Sequence, residues 1–235
     1  MAHVVRLLAA GIGIGFLAGL LVPRIVRMIP EPETDAGEPV KELYADIANR
    51  EWLAWQAAAI ASVVGGLLSV ATDSLMTLMA IAPLIPVGVA LGFIDWRTRL
   101  LPRVVVLPAT AYLILLGSAA ALASGAWDQW VRAILGLFAA RTLFWILWRV
   151  RRSGMGFGDV RLAALLGFAL AWLGWAQWFV GLYAGFLLLS VPGLVWALLK
   201  RRGDFLKVAV PFGPFMLVGA VLGVVLGGPV ASYLG

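Results

Sequence analysis

Cysteine is absent from this chain, and histidine occurs once, as His3. The first absence excludes disulfides, a cysteine nucleophile and any zinc cluster built on thiolates. The second leaves a Ser-His-Asp triad only a residue at the N-terminal tip to draw on, which argues against one. Charge is also scarce, at 13% of 235 residues, while 63% are hydrophobic. A soluble domain does not have that balance, and the repeated apolar runs of about 20 residues mark a polytopic membrane protein. The net charge of +6 resides mostly in arginines flanking these runs. It reads as membrane topology rather than as a nucleic-acid surface.

The runs predict an all-α, polytopic membrane helix bundle with eight spans, at about 4–22, 52–71, 75–94, 104–123, 129–148, 159–173, 177–199 and 208–233. The first reads as a retained helix rather than a signal peptide, since Arg24 and Arg27 follow it and no clean cleavage site appears. Gly11, Gly15 and Gly19 recur every four residues and give it a smooth packing face, and Pro23 marks its stop. Basic residues gather in alternate connections, at 24–51, 95–103, 149–161 and 200–207, and are missing from those between. Arg132 and Arg141 fall inside the fifth span and do not enter that comparison. The positive-inside rule then places the four basic loops in the cytoplasm and both termini outside. The whole chain, 1–235, reads as one membrane domain. Its one long polar stretch, 29–51, holds seven acids against Lys41 and Arg50 and is expected to be a cytoplasmic loop with an interfacial helix.

Two acids stand apart from that loop. Asp95 ends the third span and Asp159 starts the sixth, 64 residues later, so the topology puts both at the cytoplasmic side. Asp73 and Asp128 fall on the outer side, and Asp204 lies in a basic loop. Gly88, Gly92 and Asp95 share one helix face, as do Asp159, Ala163, Gly167 and Ala171. Small residues let helix backbones approach closely in lipid, which would let the acids meet and leave room for a substrate. Each acid also has a plainer reading, Asp159 as a helix N-cap and Asp95 in a surface ion pair with Arg97 or Arg99. Paired carboxylates can hydrolyse peptides: an ionised acid takes a proton from water while its protonated partner polarises the scissile carbonyl. No metal or cofactor is required. The same pair would also serve a proton- or cation-coupled transporter, and the glycines at 154, 156 and 158 would suit its hinge.

Three separated motifs, at Ile94-Asp95-Trp96-Arg97, Gly156-Phe157-Gly158-Asp159 and Pro211-Phe212-Gly213-Pro214, together resemble the bacterial type IV prepilin peptidases, membrane aspartic proteases of the GxGD kind. Ile94-Asp95-Trp96-Arg97-Thr98-Arg99-Leu100-Leu101-Pro102 is similar to the family's first-acid segment. Gly156-Phe157-Gly158-Asp159-Val160-Arg161-Leu162 resembles its GxGD element, with Arg161 where Lys is usual, and Pro211-Phe212-Gly213-Pro214-Phe215 its late Pro-Phe-Gly-Pro element. The usual elements of presenilin-like proteases are missing. The resemblance implies that Asp95 and Asp159 are the catalytic pair, supported by Gly156, Gly158, Arg97, Pro102, Arg161, Pro211, Gly213 and Pro214. It implies a multi-pass protein of the bacterial plasma membrane whose site faces the cytoplasm. Its partners would be the lipid bilayer and prepilin-like precursors with a basic leader ahead of an apolar helix, and not nucleic acid. Larger members carry a Cys-x-x-C zinc module in the first cytoplasmic loop, which this chain lacks. The tract near the first helix survives only loosely, as Gly15-Phe16-Leu17-Ala18-Gly19 and Arg27-Met28-Ile29-Pro30, so the resemblance carries N-methyltransferase activity only weakly. On a helix, Glu38, Glu42 and Asp46 would form an acidic stripe for the basic leader, with Leu43 and Ile47 turned to the membrane.

Overall fold

The computed structural model describes residues 2–31, 42–72, 74–150, 155–200 and 211–234, with the side chains of 191–200 and 234 left aside. All regular structure among the described residues is helical, and six stretches are long and apolar enough to cross a membrane. The chain divides into two compact units, Met1–Val105 and Val106–Gly235.

The first unit holds α1 (Ala2–Leu20), α2 (Val22–Arg27), α3 (Tyr44–Ala48), α4 (Leu53–Ala71), α5 (Leu75–Ile81) and α6 (Leu84–Thr98). The glycine face of α1 packs on α4. A methyl group on Gly15 would run into the backbone of Ala61, and one on Gly19 into Ala57 and Ala58. Pro23 breaks α1 but does not stop the chain from coiling, because proline is tolerated in the first turn of the helix that follows, α2. The third expected span is likewise two helices. Ala82 and Pro83 separate α5 from α6, and proline at this joint supplies no backbone N–H for α5 to continue through. Beneath them, Val22, Val26 and Ile29 meet Tyr44, Ile47 and Ala48 of α3, Leu53, Ala57 and Ala61 of α4, and Ile85, Val89, Ala90 and Ile94 of α6 in one buried cluster.

The boundary between the units falls inside α7 (Arg103–Ser124), which is followed by α8 (Trp127–Val150), α9 (Phe157–Leu173), α10 (Trp175–Lys200) and α11 (Gly213–Leu234). α7 stops at Gly125, whose φ of +73° suits a residue without a Cβ. α9 is buried along most of its length, which explains its continuous apolar sequence. Its Gly167 and Ala171 sit against Gly136 and Ala140 of α8. Arg132, an anomaly in the fifth span, closes the far end of α9: its guanidinium donates to the Ala171 and Trp172 carbonyls at 2.6 and 2.8 Å. Those carbonyls have no partner within their own helix, and a cation suits the negative end of the dipole. α10 and α11 interlock through Gly181, Gly185, Gly219 and Gly223. The last helix begins at Gly213 rather than 208, and residues 208–210 lie outside the described residues.

Candidate functional site

Asp95 lies in the last turn of α6 and is buried, 4% exposed, whereas Arg97 and Arg99, two and four residues after it, are exposed. A surface carboxylate it is not. The helix ends on Arg99, which takes the left-handed conformation at φ +56° and returns its N–H to the Asp95 carbonyl at 2.8 Å. A left-handed residue outside Gly, Asn and Asp is uncommon and marks a backbone held in place by its surroundings. Thr98 helps to hold it. Its buried hydroxyl donates to the Ile94 carbonyl at 2.8 Å and accepts the Leu100 N–H at 3.3 Å. Leu101 is buried, and Pro102 leads into α7. The role of Thr98 is not visible in the sequence, because Ser and Thr bond back to a helix in many contexts.

Asp159 is also buried, at 6% exposed, and stands at the opposite kind of helix end. It is not the N-cap of α9. Gly156 holds that position in an extended conformation, and Asp159 is the third helical residue. Its carboxylate accepts the Gly156 N–H at 3.1 Å, so the acid reaches back over the first turn. A Cβ on Gly156 would lie 3.7 Å from that same carboxylate, an ordinary contact, so the glycine is not required by crowding there. Between the two, Phe157 is gripped on both sides. The Arg161 guanidinium lies 4.9 Å from its ring centroid, and Trp148 of α8 meets it edge-on at 5.1 Å. A cation near a helix N-terminus opposes the dipole, and the face of an aromatic ring partly offsets that. The i,i+4 spacing of Phe157 and Arg161 was the sequence signal for this contact.

The Pro-Phe-Gly-Pro element forms the entry to α11. Phe212 packs against Phe144 and Phe186, with ring centroids 5.8 and 5.2 Å away. Its carbonyl accepts the Met216 N–H at 3.1 Å. Gly213 opens the helix, and Pro214 follows in its first turn, where a missing N–H costs no intrahelical bond.

The acidic stripe is not formed as expected. Glu38 lies outside the described residues. Glu42 precedes α3, which starts at Tyr44, so it cannot share a helix face with Asp46. Its carboxylate is instead bound to Arg50 at 2.6 Å. Leu43 is exposed, but Ile47 faces the core at 1% exposure rather than the membrane. The cause is the apolar cluster under α3, which claims Tyr44, Ile47 and Ala48 together. Asp46 alone stays exposed on the helix.

With this geometry in hand, the model of the type IV leader peptidase family matches residues 82–228. That stretch contains both buried acids and all three motifs, and it leaves the polar segment out. Among curated proteins, the chain is similar to the prepilin leader peptidase/N-methyltransferase of Pseudomonas putida, 32% identical over 143 residues covering 59% of this chain and 46% of that protein. The protein of the same name from Dickeya chrysanthemi is 35% identical over 145 residues, covering 59% and 47%. That from Pseudomonas aeruginosa is 30% identical over 139 residues, covering 59% and 46%. The chain spans about half the length of the curated relatives it matches. No solved structure matches it.

Proposed function

We propose that this chain, which belongs to the type IV leader peptidase family, is a membrane-embedded aspartic endopeptidase that removes the basic leader from prepilin-like precursors. One observation carries the reading. Among the described residues Asp95 and Asp159 are the only buried carboxylates, and both lie in the matched segment at helix ends next to irregular backbone. A buried acid is expensive in a membrane protein and is a functional residue by default. In the proposed reaction one of the two, ionised, accepts a proton from water as the oxygen attacks the scissile carbonyl. The other, protonated, hydrogen-bonds the carbonyl oxygen and then protonates the departing amine. Two neighbouring carboxylates sharing one proton titrate as a pair, so the pH–rate profile has two limbs.

The substrate is a precursor in which a short basic leader precedes an apolar helix, and the bilayer supplies the second partner. The basic loops at 95–103 and 149–161 support a site at the cytoplasmic face of the plasma membrane. Gly156, Gly158, Arg97, Pro102, Arg161, Pro211, Gly213 and Pro214 act as supports to the backbone around the acids. Of Glu38, Glu42 and Asp46, the acids expected to meet a basic leader, Glu42 and Asp46 lie among the described residues. The proposal is confined to cleavage, without methyl transfer. Co-expression with candidate pilin-like precursors, read by the mass of the mature product, tests it. A shortened product with the wild-type chain and an intact precursor with Asp159→Asn supports the reading. Cation flux into vesicles that is lost in the Asn variants, with every precursor left intact, would replace it with a transporter.

A further inference from the structure

The polar segment lies outside the family match, yet its described ends are built into the first unit through unusually specific contacts. Both carboxylate oxygens of Glu31 are engaged. One accepts the N–H of Tyr44 at 2.7 Å and the other that of Ala45 at 2.8 Å. These are two of the N–H groups that a helix cannot satisfy for itself, and α3 has no side-chain cap of its own. Arg27 of α2 donates to the side-chain carbonyl of Asn49 at 2.8 Å, just beyond the other end of α3. A helix of five residues does not hold together alone, so α3 exists because these bonds and its buried face place it.

That buried face rests on α2, and α2 in turn packs on α6. Ile85, Val89, Ala90 and Ile94 of α6 all belong to the cluster that holds Tyr44, Ile47 and Ala48. Asp95 is the residue after the last of them. On a helix each residue turns the side-chain direction by roughly 100°. The rotation of α6 that buries Ile94 against this cluster therefore also fixes where the Asp95 carboxylate points. Displacing α3 would take Tyr44, Ile47 and Ala48 out of the cluster and loosen the seat of α2, against which α6 is set.

We infer that Glu31, through its cap on α3, is a positioning residue for Asp95. This rests on the proposed peptidase reading for its catalytic consequence but not for its structural one. The segment then has a role quite different from leader binding, and kinetics separate the two. A misplaced catalytic group loses rate, and a displacement on the order of 1 Å can cost roughly a hundredfold. A lost leader contact raises KM with kcat unchanged.

The test uses the full chain in membranes and two readouts. The first is cleavage kinetics of a basic-leader precursor by Glu31→Ala, Glu31→Gln and Ile47→Val. The second needs no activity. Because the chain has no cysteine, Asp95→Cys introduces a single thiol whose labelling rate with N-ethylmaleimide reports burial at that position. We expect Glu31→Ala to lower kcat about tenfold or more with KM unchanged. It should also raise maleimide labelling of Asp95→Cys about tenfold, in proportion to the lost ordering of α6. Glu31→Gln, which keeps one acceptor oxygen, should fall between it and wild type, and Ile47→Val should shift both readouts the same way without threatening the fold. Unchanged labelling in both the Glu31→Ala and Ile47→Val backgrounds overturns the inference. So does a KM that rises while kcat holds. Increased labelling, with no precursor cleaved even by the chain that keeps both Asp95 and Glu31, would leave the clip standing and remove the peptidase reading instead.

Discussion

The two buried acids reach their positions by opposite means. Asp159 is fixed locally: the glycine three residues before it offers its amide, and the ring of Phe157 between them is held by Arg161 and Trp148. Asp95 is fixed from a distance. The helix that carries it is set by buried apolar residues against α2 and α4, and α2 is packed by α3. In turn α3 is held by Glu31, more than sixty residues before Asp95 in the chain. The helix ends differ too. Asp159 lies at the positive end of α9, and Asp95 at the negative end of α6. A pair built this way can be perturbed at one acid without touching the other, which makes their separate contributions measurable.

The largest expected effect comes from altering the acids themselves. Asp95→Glu and Asp159→Glu keep the charge but displace the carboxylate by about one methylene, and each should lower kcat roughly a hundredfold or more. For Asp159 the longer chain also gives up the geometry of its bond to Gly156. A Glu variant at either position with near-wild-type kcat would show that placement there is not critical, and would break the symmetry of the proposed pair.

Next in size is the packing under Asp95. Ile47→Ala removes a fully buried side chain and should destabilise the first unit by about 2–5 kcal/mol. Phe157→Leu, which acts at the other acid, removes only the ring contacts and should cost about 1 kcal/mol. Denaturant melts of the two variants in detergent compare them directly. Equal losses would argue against a local anchor for one acid and a distant one for the other.

A smaller effect is set by pH. Burial, with the Glu31 carboxylate nearby, pushes the Tyr44 phenol from its ordinary 10 up to about 12. In the unfolded chain the phenol ionises near the lower value and in the folded chain near the higher, so between them the folded form holds a proton that the unfolded form has lost. The stability this contributes is complete below pH 10 and is lost as pH rises toward 12. The difference in tyrosinate absorbance between wild type and Tyr44→Phe should therefore appear late in an alkaline titration. Its appearance near pH 10 would show that α3 does not bury the ring in solution.

The smallest effect belongs to the ion pair of Glu42 with Arg50. It is partly exposed, so Glu42→Gln should change stability by no more than about 1 kcal/mol, and less at high salt. A loss comparable to that of Ile47→Ala would mean that this pair, rather than Glu31, anchors α3.

The same contrast between the acids explains what could be read without a structure. The helical bundle followed from apolar length, because a backbone in lipid must satisfy its own hydrogen bonds. Against eight expected spans, however, six described stretches are long and apolar enough to cross, and two of them are each two helices. The environment of Asp159 was partly legible, since Gly156, Phe157 and Arg161 all lie within three positions of it while Trp148 does not. Even there the acid was one turn further in than a cap would be, because an extended glycine can open a helix without a side chain. The setting of Asp95 was not legible. The buried Ile85, Val89, Ala90 and Ile94 of its helix look in sequence like any lipid-facing residues, and nothing in a polar run announces that Glu31 will cap a helix thirteen residues on. The acidic stripe failed for the same reason: the burial of Tyr44 and Ile47 chose the phase of α3, and spacing among the acids had no part in it.

The most direct measurement of the central claim, that Asp95 and Asp159 act together on one peptide bond, is the mass of a pilin-like precursor co-expressed with wild type, Asp95→Asn, Asp159→Asn and the double variant, each verified in the membrane fraction. Paired action predicts a shortened product with wild type alone and an intact precursor with all three variants, since groups that act as a unit fail together. Mature product from either single variant would contradict it.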